Sequence, residues 1–156
     1  MKKIIALTVC ISIPLILGGI AGVITAKEIS TWYVYLVKPS FNPPNYLFGP
    51  VWTTLYILMG VSFYLIVSKK GASVSKRKAY LFYTIQLGLN FLWSFLFFYF
   101  HQIDLALIEI ALMWLSIVAM IYMFYLVSKP AAWLNLPYLA WVSFATLLNA
   151  SICYLN

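Results

Sequence analysis

The sequence predicts an all-α integral membrane protein, a bundle of five transmembrane helices with a long structured loop between the first two. Three observations carry this. Of the 156 residues, 65% are hydrophobic and only 8% are charged. Soluble domains average about 45–50% and about 25%. Mean hydropathy is +0.97. A membrane-spanning helix needs roughly 20 mostly apolar residues, so this apolar content suits about five spans. A soluble globular domain, a disordered chain and a disulfide scaffold are excluded.

A single domain over residues 1–156 is expected, with spans at 4–26, 46–67, 79–100, 105–127 and 137–155. The first follows Lys2 and Lys3 but exceeds the roughly 7–15 residues of a signal-peptide core, so it reads as a retained span. Pro14 should loosen it. Gly18 and Gly22, with Gly19 and Ala26 close by, form a small-residue face that lets another helix approach. That helix could belong to the same bundle or to a second copy.

The loop at 27–45 shifts sharply in composition, with Trp32, Tyr33, Tyr35, Pro39, Phe41, Pro43 and Pro44. Prolines stiffen it and aromatics favour the membrane interface. It is expected to fold over the helix ends. Pro50 falls in the first turn of the second span, where proline is tolerated. A basic loop with Lys69, Lys70, Lys76, Arg77 and Lys78 follows. His101–Asp104 reads as a tight turn and Ser128–Leu136 as a short loop.

Five spans place the N-terminus, second loop and fourth loop on one side. Basic residues divide eight to two in favour of that side. The bias predicts a multi-pass cell-membrane protein with a cytoplasmic N-terminus and the aromatic loop outside. The net charge of +7 is then loop charge touching anionic membrane lipids. No polar domain offers a nucleic-acid groove. Cys10 and Cys153 lie in apolar runs without a Cys/His cluster, so no metal site is expected.

Few polar side chains enter the spans, so those that do are informative. Gln86 and Asn90 begin a stripe continued by Trp93 and Phe97. Trp52, Tyr56, Met59 and Phe63 form another on the second span. Trp141, Ala145, Leu148 and Asn149 do so on the fifth. At about 1.5 Å per residue, Trp52 and Asn149 lie roughly 9 Å down from the first-loop side, and Asn90 and Ala145 roughly 15 Å. Glu109 is expected to be shallow and to reach toward water. The cluster implies a pocket between helices, capped by the loop. Trp and Tyr offer flat apolar faces with an N–H or O–H, which suits a planar, hydrophobic small molecule with a few polar edges. The alternative reading is aromatic helix packing with amides as interhelical glue. No Ser-His-Asp, Cys-His or close carboxylate pair can be assembled, and no phosphate loop appears.

Four ordered blocks carry a resemblance. They are Trp32-Tyr33 through Lys38-Pro39, Phe41 and Pro43-Pro44; Phe48, Pro50-Val51-Trp52, Leu55-Tyr56 and Met59-Gly60; Gln86-Leu87, Leu89-Asn90 and Trp93; and Pro137 through Trp141, Phe144 through Thr146 and Leu148-Asn149. Together they resemble the TspO/translocator protein family, also called tryptophan-rich sensory proteins or peripheral benzodiazepine receptors. The resemblance implies a five-helix bundle, often a homodimer, that binds porphyrins and isoquinoline or benzodiazepine ligands. It implies tetrapyrrole transport, sensing, or light- and oxygen-dependent porphyrin breakdown. The family pocket maps onto Tyr33, Pro43, Phe48, Trp52, Tyr56, Asn90, Trp93, Ile108, Trp141, Phe144, Ala145 and Leu148, and the depth cluster adds Asn149. The leading expectation is a receptor-like protein binding protoporphyrin IX or haem. Trp52 and Trp141 would stack on the macrocycle, and Asn90 and Asn149 would contact its polar edges. If photo-oxidative chemistry exists, Trp52 and Trp141 would carry it, with porphyrin as substrate and no cofactor required. A porphyrin transporter is the alternative. The family's last-span cholesterol motif is incomplete, because Tyr154 is followed only by Leu155 and Asn156.

Overall fold

The computed structural model describes residues 2–71 and 73–156, so Met1 and Ala72 lie outside the described residues. Long apolar runs form the helices α1 (Lys2–Thr31), α2 (Phe48–Val67), α3 (Val74–Ser94), α4 (Ile103–Val127) and α6 (Leu136–Leu155), with a short α5 (Lys129–Trp133) before the last. Single 3₁₀ turns at Tyr33–Tyr35 and Asn45–Leu47 punctuate the first loop, and α3 ends in a π-helical turn, Phe95–Tyr99. Five stretches are long and apolar enough to cross a membrane: Lys2–Thr31, Asn45–Val67, Val74–Tyr99, Ile103–Val127 and Lys129–Leu155. The fold is therefore an all-α membrane bundle of five spans.

Three boundaries differ from expectation, each for a local reason. α1 continues through Lys27–Thr31, where the Ser30 and Thr31 hydroxyls donate to the Lys27 carbonyl at 2.9 and 3.1 Å. Such back-bonding lets polar residues stay helical. α3 begins five residues early because Ser73 caps it, its Oγ accepting from the Lys76 N–H at 3.0 Å. The segment read as a plain loop at Ser128–Leu136 contains α5, with Pro130 in its first turn.

α1 packs along α2, α3 along α4, and α4 also along α6. α5 bridges α4 and α2, and the π turn of α3 meets α1. These contacts close a ring in the order α1, α2, α5 with α6, α4, α3. Met59, Ile66, Met113, Ile117, Met120, Phe124 and Tyr138 fill its centre. A second cluster, Tyr33, Phe97, Phe98, Ala106, Leu148 and Ile152, sits beneath the first loop.

Within the bundle, the helix contact expected at Gly18 and Gly22 is made at Gly18, against Tyr56 of α2, and not at Gly22. The close approach of α1 to α2 occurs at Gly60 of α2, where an added Cβ would lie 2.5 Å from Cα of Ile11 and 2.7 Å from the Cys10 carbonyl oxygen. Gly18 abuts the ring of Tyr56, while Gly19 and Gly22 face open space.

Candidate ligand-binding cavity

The open space along α1 is one wall of a cavity of about 380 Å³, within the range of small-molecule sites. On α1, Gly18, Gly19, Gly22 and Ala26 contribute almost no side-chain volume there. The opposing walls carry bulk at helical spacing. α2 presents Phe48, Trp52 and Tyr56, which recur every four residues and so share one face. α3 presents Asn90, Trp93 and Phe97. α6 presents Trp141, Ala145, Leu148 and Asn149. Tyr33 and Asn45 close the loop end.

Of the site residues expected from the sequence, Tyr33, Phe48, Trp52, Tyr56, Asn90, Trp93, Trp141, Ala145, Leu148 and Asn149 line this cavity. Three do not. Pro43 lies in the loop above it, and its carbonyl accepts from Asn42 Nδ2. Phe144 packs behind Trp141, with centroids 5.6 Å apart, and meets Phe41 edge-on. Ile108 is 62% exposed on the outer surface of α4. The α1 wall was missed, because a small-residue stripe has two outcomes: a helix can enter it, or it can stay empty.

Tyr56, Asn90, Trp93 and Asn149 of the lining are engaged in hydrogen bonds. Tyr56 O–H donates to Asn90 Oδ1 at 2.8 Å, Asn90 Nδ2 donates to Tyr138 Oη at 3.1 Å, and Tyr138 O–H donates to Gln86 Oε1 at 2.9 Å. This chain ties α2, α3 and α6 together. Trp93 Nε1 donates to Asn149 Oδ1 at 3.1 Å, and Asn149 Nδ2 donates to the Ile103 carbonyl at 3.2 Å. Asn90 and Asn149 thus act as interhelical glue and as cavity lining at once, the two roles that the sequence left open. Satisfying these groups inside the bundle is what makes their burial tolerable. Trp52 stacks on Tyr56, with centroids 5.4 Å apart and planes 26° apart. The indole N–H groups of Trp52 and Trp141 have no protein acceptor among the described residues, in contrast to those of Trp93 and Trp114.

Glu109 corrects another expectation. It does not reach toward water: it is 5% exposed, and neither carboxylate oxygen has a hydrogen-bond partner among the described residues. It shares the packed face of α4 with Ala106, Ile110 and Met113, and that face turns it inward.

The cap is built around Lys38. Its ammonium donates to the carbonyls of Tyr33 and Leu36, both at 2.7 Å, and lies 4.9 Å from the Tyr33 ring centroid. Tyr33 O–H donates to Asn42 Oδ1 at 2.7 Å. Burial pushes the Tyr33 phenol up to about 12, so it remains a neutral donor at any physiological pH. Asn156 anchors the far edge, pairing with the Val37 backbone through Val37 N–H to Oδ1 and Nδ2 to the carbonyl, both at 3.0 Å.

Residues 10–155 match the TspO/MBR family. The chain belongs to the TspO/MBR family. It is similar to the tryptophan-rich protein TspO of Chlorobaculum tepidum, with 41% identity over 155 residues, covering 99% of this chain and 98% of the relative. The protein of the same name from Archaeoglobus fulgidus is 41% identical over 154 residues, covering 99% of both. The human translocator protein is 43% identical over 119 residues, 76% of this chain and 70% of its own length. Every cavity-lining residue falls inside the TspO/MBR match.

Proposed function

We propose that this protein is a receptor-like membrane protein that binds tetrapyrroles, such as protoporphyrin IX and haem, and isoquinoline- or benzodiazepine-type ligands in the capped cavity. The observation that carries this reading is the lining itself. Trp52, Trp93 and Trp141 surround one space with no charged side chain among the described residues of its wall, and two of their indoles have donors without an acceptor among those residues, free for a ligand's acceptor atoms. Flat apolar faces with a few donors suit a planar macrocycle. The bundle sits in the cell membrane with its N-terminus cytoplasmic, a reading that rests on the eight-to-two division of basic residues.

The test is quenching of tryptophan fluorescence by protoporphyrin IX in reconstituted protein. Trp52→Phe is expected to weaken binding about tenfold, the loss of one stacking and donor contact. Asn90→Ala should weaken it too, by releasing Tyr56 from its place in the wall. Unchanged affinity in both variants would put the site elsewhere.

Light- and oxygen-dependent porphyrin breakdown is a second reading, favoured by the position of Trp52 and Trp141 in the same lining. It requires a defined product that forms under light only with protein and disappears in Trp141→Phe. Bleaching identical to that of free porphyrin would sink it. Porphyrin transport is the competing reading: the human relative is named a translocator protein, without naming its cargo, and the reading requires porphyrin flux across sealed liposomes.

A further inference from the structure

Glu28, Trp32 and His101 come together at the rim of the cavity although the sequence separates them by up to 73 positions. His101 Nε2 lies 3.4 Å from Glu28 Oε2, the one acid–base side-chain contact at ion-pair distance among the described residues. The imidazole stacks on the Trp32 ring, with centroids 4.2 Å apart and planes 16° apart. The Thr31 hydroxyl, 3.1 Å from the same Glu28 oxygen, can turn its one proton there or to the Lys27 carbonyl. Trp32 meets Phe97 edge-on at 5.6 Å. His101 holds a φ of +56°, a left-handed backbone uncommon for residues bearing a Cβ and one that persists where the surroundings enforce it.

These three residues join the end of α1, the start of the cap and the turn between α3 and α4. Their chain neighbours Ile29 and Tyr33 line the cavity, as does Phe97. The opposite edge of the cap is held by the Asn156–Val37 pair, which contains no titratable side chain. The cap is also held by aromatic contacts of Trp32, Tyr33 and Phe41, so the Glu28–His101 contact is the attachment among these that can respond to protons.

We propose that Glu28, Trp32 and His101 form a proton-sensitive clasp that holds the cap loop over the cavity. Histidine changes charge between about pH 5 and 8. On the acid side, the imidazolium pairs with the Glu28 carboxylate and lies over the indole face as a cation. On the basic side, only a neutral contact and a stack remain. The clasp is thus tightest at low pH and loosens as pH rises. The other charged groups at this end do not compete. Lys27 is exposed on α1, Lys38 is tied to loop carbonyls, and Asp104 accepts from the Cys153 thiol at 2.8 Å. Tyr33 stays neutral throughout.

The experiment uses the full chain in lipid nanodiscs, without ligand, at about pH 5.5 and about pH 8, either side of the histidine range. Hydrogen exchange of the cap amides, corrected for intrinsic rates, should be about three- to tenfold slower at the lower pH, from one exposed ion pair plus one cation–π contact. His101→Asn, which suits a left-handed backbone, and Glu28→Gln should each abolish that difference. Unaltered exchange in α4 would show that both variants fold. A wild-type cap indifferent to pH, or a His101→Asn cap that keeps the full response, would overturn the clasp. A second arm measures protoporphyrin IX release, which should slow at low pH in wild type relative to His101→Asn. That arm rests on the tetrapyrrole reading and the exchange arm does not. If the exchange responds while protoporphyrin fails to bind, the clasp stands and the ligand reading falls.

Discussion

Near the basic loop, the rings of Phe63 and Tyr83 stack with centroids 4.0 Å apart, and Met59, Ile66, Met120 and Phe124 are fully buried. At the capped end, Trp52, Trp93 and Trp141 stand around about 380 Å³ of space. Both ends draw on the same palette of aromatics and aliphatics. What separates them is the placement of glycine. Gly60 lies between α1 and α2, and the missing Cβ lets two backbones meet. Gly19 and Gly22 lie on a face of α1 that no described residue of the bundle enters, so the missing Cβ leaves room in the cavity. One residue type closes one half of the bundle and opens the other.

The sharpest way to break this comparison is to make the same substitution in both halves. Gly60→Ala should destabilise the bundle by about 2–3 kcal/mol, because the new methyl group meets main chain that must shift. Thermal unfolding in detergent measures it, and an unaltered midpoint would mean that α1 and α2 do not touch there. Next in size is Asn90→Leu, which strips partners from Tyr56 and Tyr138 and should cost about 1–2 kcal/mol. Its effect should be less than additive with Tyr138→Phe, since both remove the same hydrogen bond. Additivity would dissolve the network. Gly22→Leu should leave unfolding within about 1 kcal/mol of wild type while lowering protoporphyrin affinity at least about tenfold, by filling the space. A large loss of stability with binding intact would restore this glycine to a helix contact. The smallest effect has the opposite sign to the first. Gly19→Ala should stabilise by about 0.5–1 kcal/mol through helix propensity, with nothing nearby to clash.

Much of the site was legible because helical periodicity is a local property. Trp52 and Tyr56, or Trp141 and Leu148, are brought to one face by spacing alone. Depth counting then put Asn90 and Asn149 at compatible levels. Ile108 and Glu109 show where that method stops. They are adjacent on α4, and which of them faces inward depends on helix rotation. The bundle turns Glu109 in and leaves Ile108 on the surface. The stripe Gly18–Gly22 divides for a related reason: Gly18 meets Tyr56 of α2 and Gly22 meets no helix of the bundle, because small residues permit close approach but do not compel it. The extra turns of α1 and α3 were hidden by polar residues whose side chains cap or back-bond to the helix.

By itself, the sequence determined the all-α class, the five spans, the aromatic cap and the family, because apolar length, periodicity and ordered motifs are written along the chain. The tertiary structure decided which small-residue face stays empty, which acid is buried, and that Glu28, Trp32 and His101 meet. Those outcomes depend on how helices rotate and pack against partners distant in sequence, and packing is collective: no single segment encodes it.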